Sequence, residues 1–290
     1  LRAPAGEVVE LRQDLVEDVE GHERSSAGFW PTVIPTRGAV EGKGGAGGGR
    51  AYRGGGVSGA PRTTPRLVPA SDASLLVVLA EAPSPEATAA VLALRAALAA
   101  APPLGLVDLR PAYASLLLVF DPGATAHGEL AEAVRPLLPP PGLALPPAAR
   151  TVEVPVCYGE ECAPDLGDVA RHAGLAREET IALHADAAYR VAFLGFSPGF
   201  AYLLGLPPAL AMPRLTAPRR SVPAGSVALA GGQAGLYPRA TPGGWRLVGR
   251  TALPLFDAAR EAPSLLLPGD AVRFVPVAHA DLARGAGEAR

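Results

Sequence analysis

The chain has 290 residues, 49% of them apolar, with a formal net charge of −2 and a pI near 6.3. That length suits about two domains on the usual scale of roughly 100–200 residues each, and the near-neutral balance gives no electrostatic case for a nucleic-acid partner. No window approaches the roughly 18–20 uninterrupted apolar residues of a spanning helix, and the opening EVVELRQDLVEDVEGHE is not a secretory signal, so a cytoplasmic protein is expected.

Residues 1–64 are expected to be a disordered or appended extension. Val8, Leu11, Leu15 and Val19 fall at helical spacing, but GAVEGKGGAGGGRAYRGGGVSG, from Gly38 to Gly59, is too rich in glycine for side-chain contacts to offset the entropy of ordering it. A functional tail is the other reading.

Residues 65–148 read as a small α/β domain. LLVVLA (75–80) is a buried-strand run, and Ser84 can cap an Ala/Leu helix that runs to about Ala101. GLVDLR and SLLLVF follow as strands, and a second helix is expected from about His127 to Leu138. The proline-rich PPPGLALPPAAR then cannot continue a helix.

Residues 149–279 read as a mostly-β barrel, with 280–290 a tail. TVEVPV places Val152, Val154 and Val156 on one face. Asp165 can cap a short helix that Gly174 ends, and Glu178 with Glu179 suits the positive end of a second. YRVAFLGF, SVALAGG, WRLVGRT, SLLLP and AVRFVPV are short strand runs punctuated by Gly and Pro, as in a closed barrel. The fold class is therefore α+β.

Chemistry concentrates in the turns. FLGFSPGFAYL (193–203) holds Phe193, Phe196, Phe200 and Tyr202 in a chain with only seven Phe, six Tyr and two Trp. Phe193 and Phe196 are expected to continue a strand, with Pro198, Gly199 and Phe200 shaping a loop; a core aromatic corner and a ligand- or partner-facing loop both fit. In YPRATPGGWRLVGRT the Gly243 and Gly244 backbone can expose N–H donors, while Tyr237 and Trp245 suit either packing or a ligand platform. PRRSVPAGSVALAGGQAG adds Arg219, Arg220, Ser226 and Gln233. His184 is either a partner of a helix end or a proton shuttle. Cys157 and Cys162 form a C-x4-C pair without a second pair, a poor zinc signature, so no metal site is expected and two reduced thiols are.

PDL (164–166), LH (183–184), FLGFSPGFAYL, PRR-SVPAGSV, GGQAGLYPRATPGGW, LFD (255–257) and PGDAVRFVP together resemble one family. It is known variously as allophanate hydrolase subunit 1, sporulation kinase inhibitor and the B-type component of bacterial 5-oxoprolinase, of the carboxyltransferase subdomain C/D type. The resemblance spans about residues 66–277. It implies a ferredoxin-like α/β domain followed by a cyclophilin-like barrel, and a hydrolase component, inactive alone, that joins partners of the A type and of the C type (the allophanate hydrolase subunit 2 type). Such a complex cleaves 5-oxo-L-proline to L-glutamate with ATP hydrolysis. The alternatives the family offers are a histidine-kinase inhibitor and one component of an enzyme acting on allophanate or urea-derived amides.

A lactam is a poor electrophile, so ATP would phosphorylate its oxygen, with Mg2+ accompanying the nucleotide. The chain has no G-x4-G-K-[ST] loop, and its one lysine, Lys43, lies in the glycine-rich stretch, so ATP would be shared with a partner chain. On this reading His184, Arg219 and Gln233 are the catalytic candidates. Phe196, Pro198, Gly199, Phe200, Ser226, Tyr237, Thr241, Gly243, Gly244 and Trp245 face substrate, ATP or partner. Two departures from the family pattern, Ala234 in place of Thr and Ala201 in place of Pro, bear on substrate more than on fold.

Overall fold

The structure, a computed structural model, describes residues 65–282, which lie within one compact unit. The expected extension 1–64 and residues 283–290 of the tail lie outside the described residues. Among the described residues no helix is long and apolar enough to cross a membrane.

The first layer is built from β1 (Arg66–Ser71), β2 (Ser74–Val78), α1 (Pro85–Ala100), β3 (Leu106–Pro111), β4 (Ser115–Phe120) and α2 (His127–Val134). The strands form one sheet in the order β1-β2-β4-β3, antiparallel throughout. Ser84 caps α1 as expected, its hydroxyl accepting from Ala87 N at 3.0 Å. At α2 the same end is closed differently: Glu129 reaches back to accept from Ala126 N at 3.0 Å. Leu75, Val77, Leu94, Leu98, Leu116 and Leu118 fill the space between sheet and helices. Strand β1 was not expected; its residues are mostly exposed, so it carries little of the periodicity that marks a buried strand.

The second layer contains β5 (Thr151–Cys157), α3 (Leu166–Ala173), α4 (Arg177–Ala185), β6 (Tyr189–Leu194), β7 (Ala201–Leu204), β8 (Arg219–Val222), β9 (Ser226–Ala230), β10 (Gln233–Leu236), β11 (Thr241–Gly243), β12 (Arg246–Arg250) and β13 (Ala271–Val277). Seven strands close a barrel in the order β10-β7-β6-β13-β5-β12-β9, while β8 and β11 form a separate ribbon. The closing contact is parallel: β13 lies beside β5 in register from Ala271–Thr151 to Val277–Cys157. The run SLLLP is not a strand; Ser264 makes only an isolated bridge to Phe256, while Leu266 is buried in the barrel core.

Strand β9 is buried on every residue because it is covered on both faces. Val227 and Leu229 point into the barrel, whereas Ala228 and Ala230 join a second cluster outside it with Phe200, Val222, Tyr237, Trp245 and Leu247. The two layers meet at Tyr113. Its hydroxyl donates to Leu203 O at 3.2 Å, and its ring meets Phe193 edge-on at 4.9 Å.

Gly174 ends α3 as expected, in the left-handed conformation with its N–H returning to Ala170 and Arg171. Asp165 occupies the expected position before α3, yet its side chain does not cap the helix. It is claimed by tertiary partners.

Candidate functional site

A continuous aromatic layer covers the outer face of β6, β7, β10 and β12. Phe193 and Tyr202, cross-strand partners, stack at 4.4 Å and 14°. Phe200 meets Tyr202 at 4.8 Å, Tyr237 at 4.9 Å and Trp245 at 5.6 Å. The layer is possible because β10 presents Gly235 beneath it: a Cβ there would lie 2.9 Å from Phe200 Cζ and 3.0 Å from Trp245 Cζ3. Gly243 has a similar task, since a Cβ would stand 2.5 Å from the Tyr237 hydroxyl.

At one end of the layer stands Phe196, which breaks the expectation made for it. Strand β6 ends at Leu194, and Phe196 is 60% exposed with φ +64°, the one described non-glycine residue at positive φ. Ser197 N donates to Gly195 O at 2.7 Å, so Phe196 sits at the centre of a three-residue turn of the strained, positive-φ kind. Phe200, expected in the loop surface, is instead 1% exposed. The loop is shaped as anticipated around Gly199 at φ +81°, where a Cβ would come within 2.6 Å of Phe256 Cβ. Between this loop, β3 and Phe256 lies an open cleft of about 670 Å³, bordered by Asp108, Arg110, Gly195, Phe196 and Pro198. Ser197 Oγ is buried there and makes no hydrogen bond within the described residues.

At the other end Arg214 lies over the Trp245 ring at 5.8 Å and is exposed. Among the described residues it makes no ion pair. Gln233 shares with Gly235 the face of β10 that carries the layer, at the hairpin tip where Gly231 exchanges backbone hydrogen bonds with Met212.

Arg219 is not a free cation. Its Nη2 donates to Asp165 Oδ1 at 2.7 Å and its Nη1 to Trp245 O at 3.4 Å, while Asp165 Oδ2 accepts from Leu247 N at 2.7 Å. Asp165 therefore serves two strands at once. Ser226 is likewise engaged, its hydroxyl donating to Pro223 O at 2.8 Å beneath the layer. Thr241 and Gly243 lie on the β8–β11 ribbon, paired with Val222 and Arg219, and Thr241 Oγ1 is buried without a partner within the described residues. Gly244 O accepts from Leu215 N at 2.7 Å, anchoring the segment that carries Arg214.

Burial assigns Tyr237 and Trp245 to packing. Burial also pushes the Tyr237 phenol up to about 12, reinforced by Tyr202 and offset by Arg214 and Arg219, so it is a neutral donor at physiological pH.

His184 is far from this constellation in environment. It is fully buried in the last turn of α4, stacks on Phe274 at 4.9 Å, and shares a 2.9 Å hydrogen bond between Nδ1 and the Tyr158 hydroxyl. Desolvation lowers its pKa to about 3. An open cavity of about 910 Å³ between α4, β6 and β13 is also apart from the aromatic layer.

Asp165, Tyr202, Arg214 and Gly235 were missed as site residues. Asp165 has a sequence signal, PDL a short turn after a strand, but one that equally marks a helix start. Gly235 has no side chain to mark it, and Arg214 stands among many arginines.

Residues 65–266 match the family described as carboxyltransferase domain, subdomain C and D. The B subunit of the 5-oxoprolinase of Escherichia coli O157:H7 is 56% identical over 133 residues, covering 46% of this chain and 61% of that protein. The protein of the same name from Bacillus subtilis (strain 168) is 50% identical over 132 residues, covering 46% of this chain and 55% of that protein. The match thus spans little more than half the length of those relatives. The crystal structure of TTHA0988 superposes with a TM-score of 0.62 at 43% identity, over 70% of this chain and 39% of that one.

Proposed function

Because this chain belongs to the carboxyltransferase domain family, subdomain C and D, we propose that it is the B-type component of a bacterial, cytoplasmic, ATP-dependent 5-oxoprolinase. The observation that carries the reading is the 50–56% identity to proteins named as the B subunit of 5-oxoprolinase. Its partners are of the A and C types, and the chain is inactive alone. We read the barrel as cyclophilin-like. We read the four-stranded layer as ferredoxin-like, with its edge strand supplied by the preceding β1–β2 hairpin.

The geometry supports a division of labour. Phe196, held in a strained turn above a rigid aromatic underlay, faces the lactam or the partner chain; strain of this kind persists only where surrounding structure imposes it. Arg219 with Asp165 is scaffolding, whereas Arg214, without an ion pair among the described residues, is the cation able to meet the substrate carboxylate or a phosphate. Gln233 and Thr241 orient polar groups, with Gly243 and Gly244 as backbone donors.

With no phosphate-binding loop and no lysine among the described residues, the site does not by itself balance a triphosphate with its transferring phosphoryl group. The nucleotide and its Mg2+ are therefore completed by a partner chain.

Co-purification with the A-type and C-type partners, followed by 5-oxoproline and ATP, tests the reading through glutamate release. Glutamate requiring all components is expected. A stable complex that hydrolyses no 5-oxoproline, or no complex at all, would overturn it.

A further inference from the structure

The fold brings together four side chains that the aromatic layer does not use. Cys157 ends β5, Glu161 and Cys162 lie in the turn before α3, and His279 follows β13, 117 residues beyond Cys162. Cys157 Sγ, Glu161 carboxylate oxygen, Cys162 Sγ and His279 Nδ1 all lie within 4.8 Å of one another.

The three distances that meet at His279 have the lengths of coordination-shell edges. His279 Nδ1 is 3.3 Å from Cys162 Sγ, 3.8 Å from Cys157 Sγ and 3.3 Å from Glu161 Oε1. Tetrahedral zinc, with Zn–S near 2.3 Å and Zn–N near 2.0–2.1 Å, requires S···N edges of about 3.6 Å and N···O edges of about 3.3 Å. The two observed S···N distances straddle the first value, and the N···O distance matches the second.

The surroundings are built for it. Both sulfurs are buried, beside Val277 and Leu282, while Glu161 and His279 close the outer side. Cys162 N and Ala163 N both donate to Gly159 O, at 3.0 and 2.8 Å, which curls the turn so that Cys162 returns to Cys157. Gly159 N points at Cys157 Sγ at 3.4 Å, the kind of outer hydrogen bond that steadies a thiolate ligand. A Cβ on Gly159 would lie 2.8 Å from Glu161 Oε1, so glycine leaves room for the carboxylate to fold inward.

We propose that Cys157, Glu161, Cys162 and His279 form a structural site for a borderline-soft divalent cation, zinc above all. Two sulfurs and an imidazole disfavour Mg2+ and Ca2+, and four protein ligands leave no open position for chemistry. The cation staples the segment after β13 to the β5–α3 turn. That turn leads within three residues to Asp165, so the staple also steadies the carboxylate that holds Arg219.

The test uses the full 290-residue chain, purified reduced and without a metal-affinity tag. About one equivalent of tightly held Zn2+ per chain is expected. After chelation, Co2+ should give the visible bands of tetrahedral geometry together with a thiolate-to-cobalt charge-transfer band. Cys162→Ser and His279→Ala should each weaken Zn2+ binding by at least about tenfold. Glu161→Gln should weaken it while keeping the thiolate band. Should Cys162→Ser fail to fold, the outward-lying His279→Ala and Glu161→Gln carry the comparison. A reduced chain with two free thiols that takes up no Zn2+ overturns the proposal. So does Co2+ uptake without a thiolate band, or a Cys157–Cys162 disulfide whose reduction confers no metal binding.

Discussion

Asp165 ties Arg219 and the Leu247 amide together, one oxygen to each at 2.7 Å, so a single buried carboxylate fixes the β8 ribbon and β12 beneath the aromatic layer. Replacing it with Asn leaves a partly buried guanidinium without its counter-charge. Asp165→Asn is expected to cost about 2–4 kcal/mol, below the full penalty for a buried pair because Arg219 is 28% exposed. Denaturant unfolding measures this. In a cycle with Arg219→Gln the double variant should lose clearly less than the sum of the singles, and additivity would show the pair to be uncoupled.

Phe196 and Phe200 should respond oppositely. Asn tolerates positive φ and Phe196 is mostly exposed, so Phe196→Asn is expected to leave stability unchanged or raise it by up to about 1 kcal/mol. Glutamate formation by the reconstituted complex should nonetheless fall at least about tenfold, a loss of about 1.4 kcal/mol. Phe200→Ala should cost about 3–5 kcal/mol of folding stability. A destabilised Phe196→Asn with full turnover per folded molecule would return Phe196 to packing.

His184 supplies a pH signature. Its folded pKa, about 3, is depressed below the ordinary 6.5, so the unfolded chain binds a proton that the fold excludes. Stability from this residue is complete above about 6.5 and drains as pH falls toward 3, by up to about 1.4 kcal/mol per pH unit. Between about pH 6.5 and 5, above the range where most carboxylates titrate, His184→Phe should flatten the dependence of unfolding free energy on pH. Equal slopes for the two proteins would mean the imidazole titrates normally.

In each layer, strands with a single buried face were legible because they repeat buried residues at period two. SLLLVF and TVEVPV each coincide with an observed strand to within one residue. The aromatic stretch was visible as a concentration of scarce residues, but the roles of Phe196 and Phe200 were exchanged. They lie four positions apart, and one positive φ decides which side chain turns outward. Asp165 was read locally, as a cap, when its partners lie 54 and 82 residues away. The metal-ligand cluster was hidden for the same reason: its two cysteines are sequence neighbours, but the imidazole arrives only when β13 docks beside β5.

That parallel docking also dictates the order in which the polypeptide can be completed. Arg273 and Glu153, an ion pair across the β13–β5 seam, are 120 residues apart. A loop of that length costs about 4 kcal/mol in its length-dependent closure entropy alone. Until Ala271 has left the ribosome, β5 and β6 each lack the neighbour that seals them, whereas every strand of the first layer already has its partners by Phe120. A nascent chain stalled between Arg250 and Ala271 carries a finished sheet and an open, adhesive barrel edge.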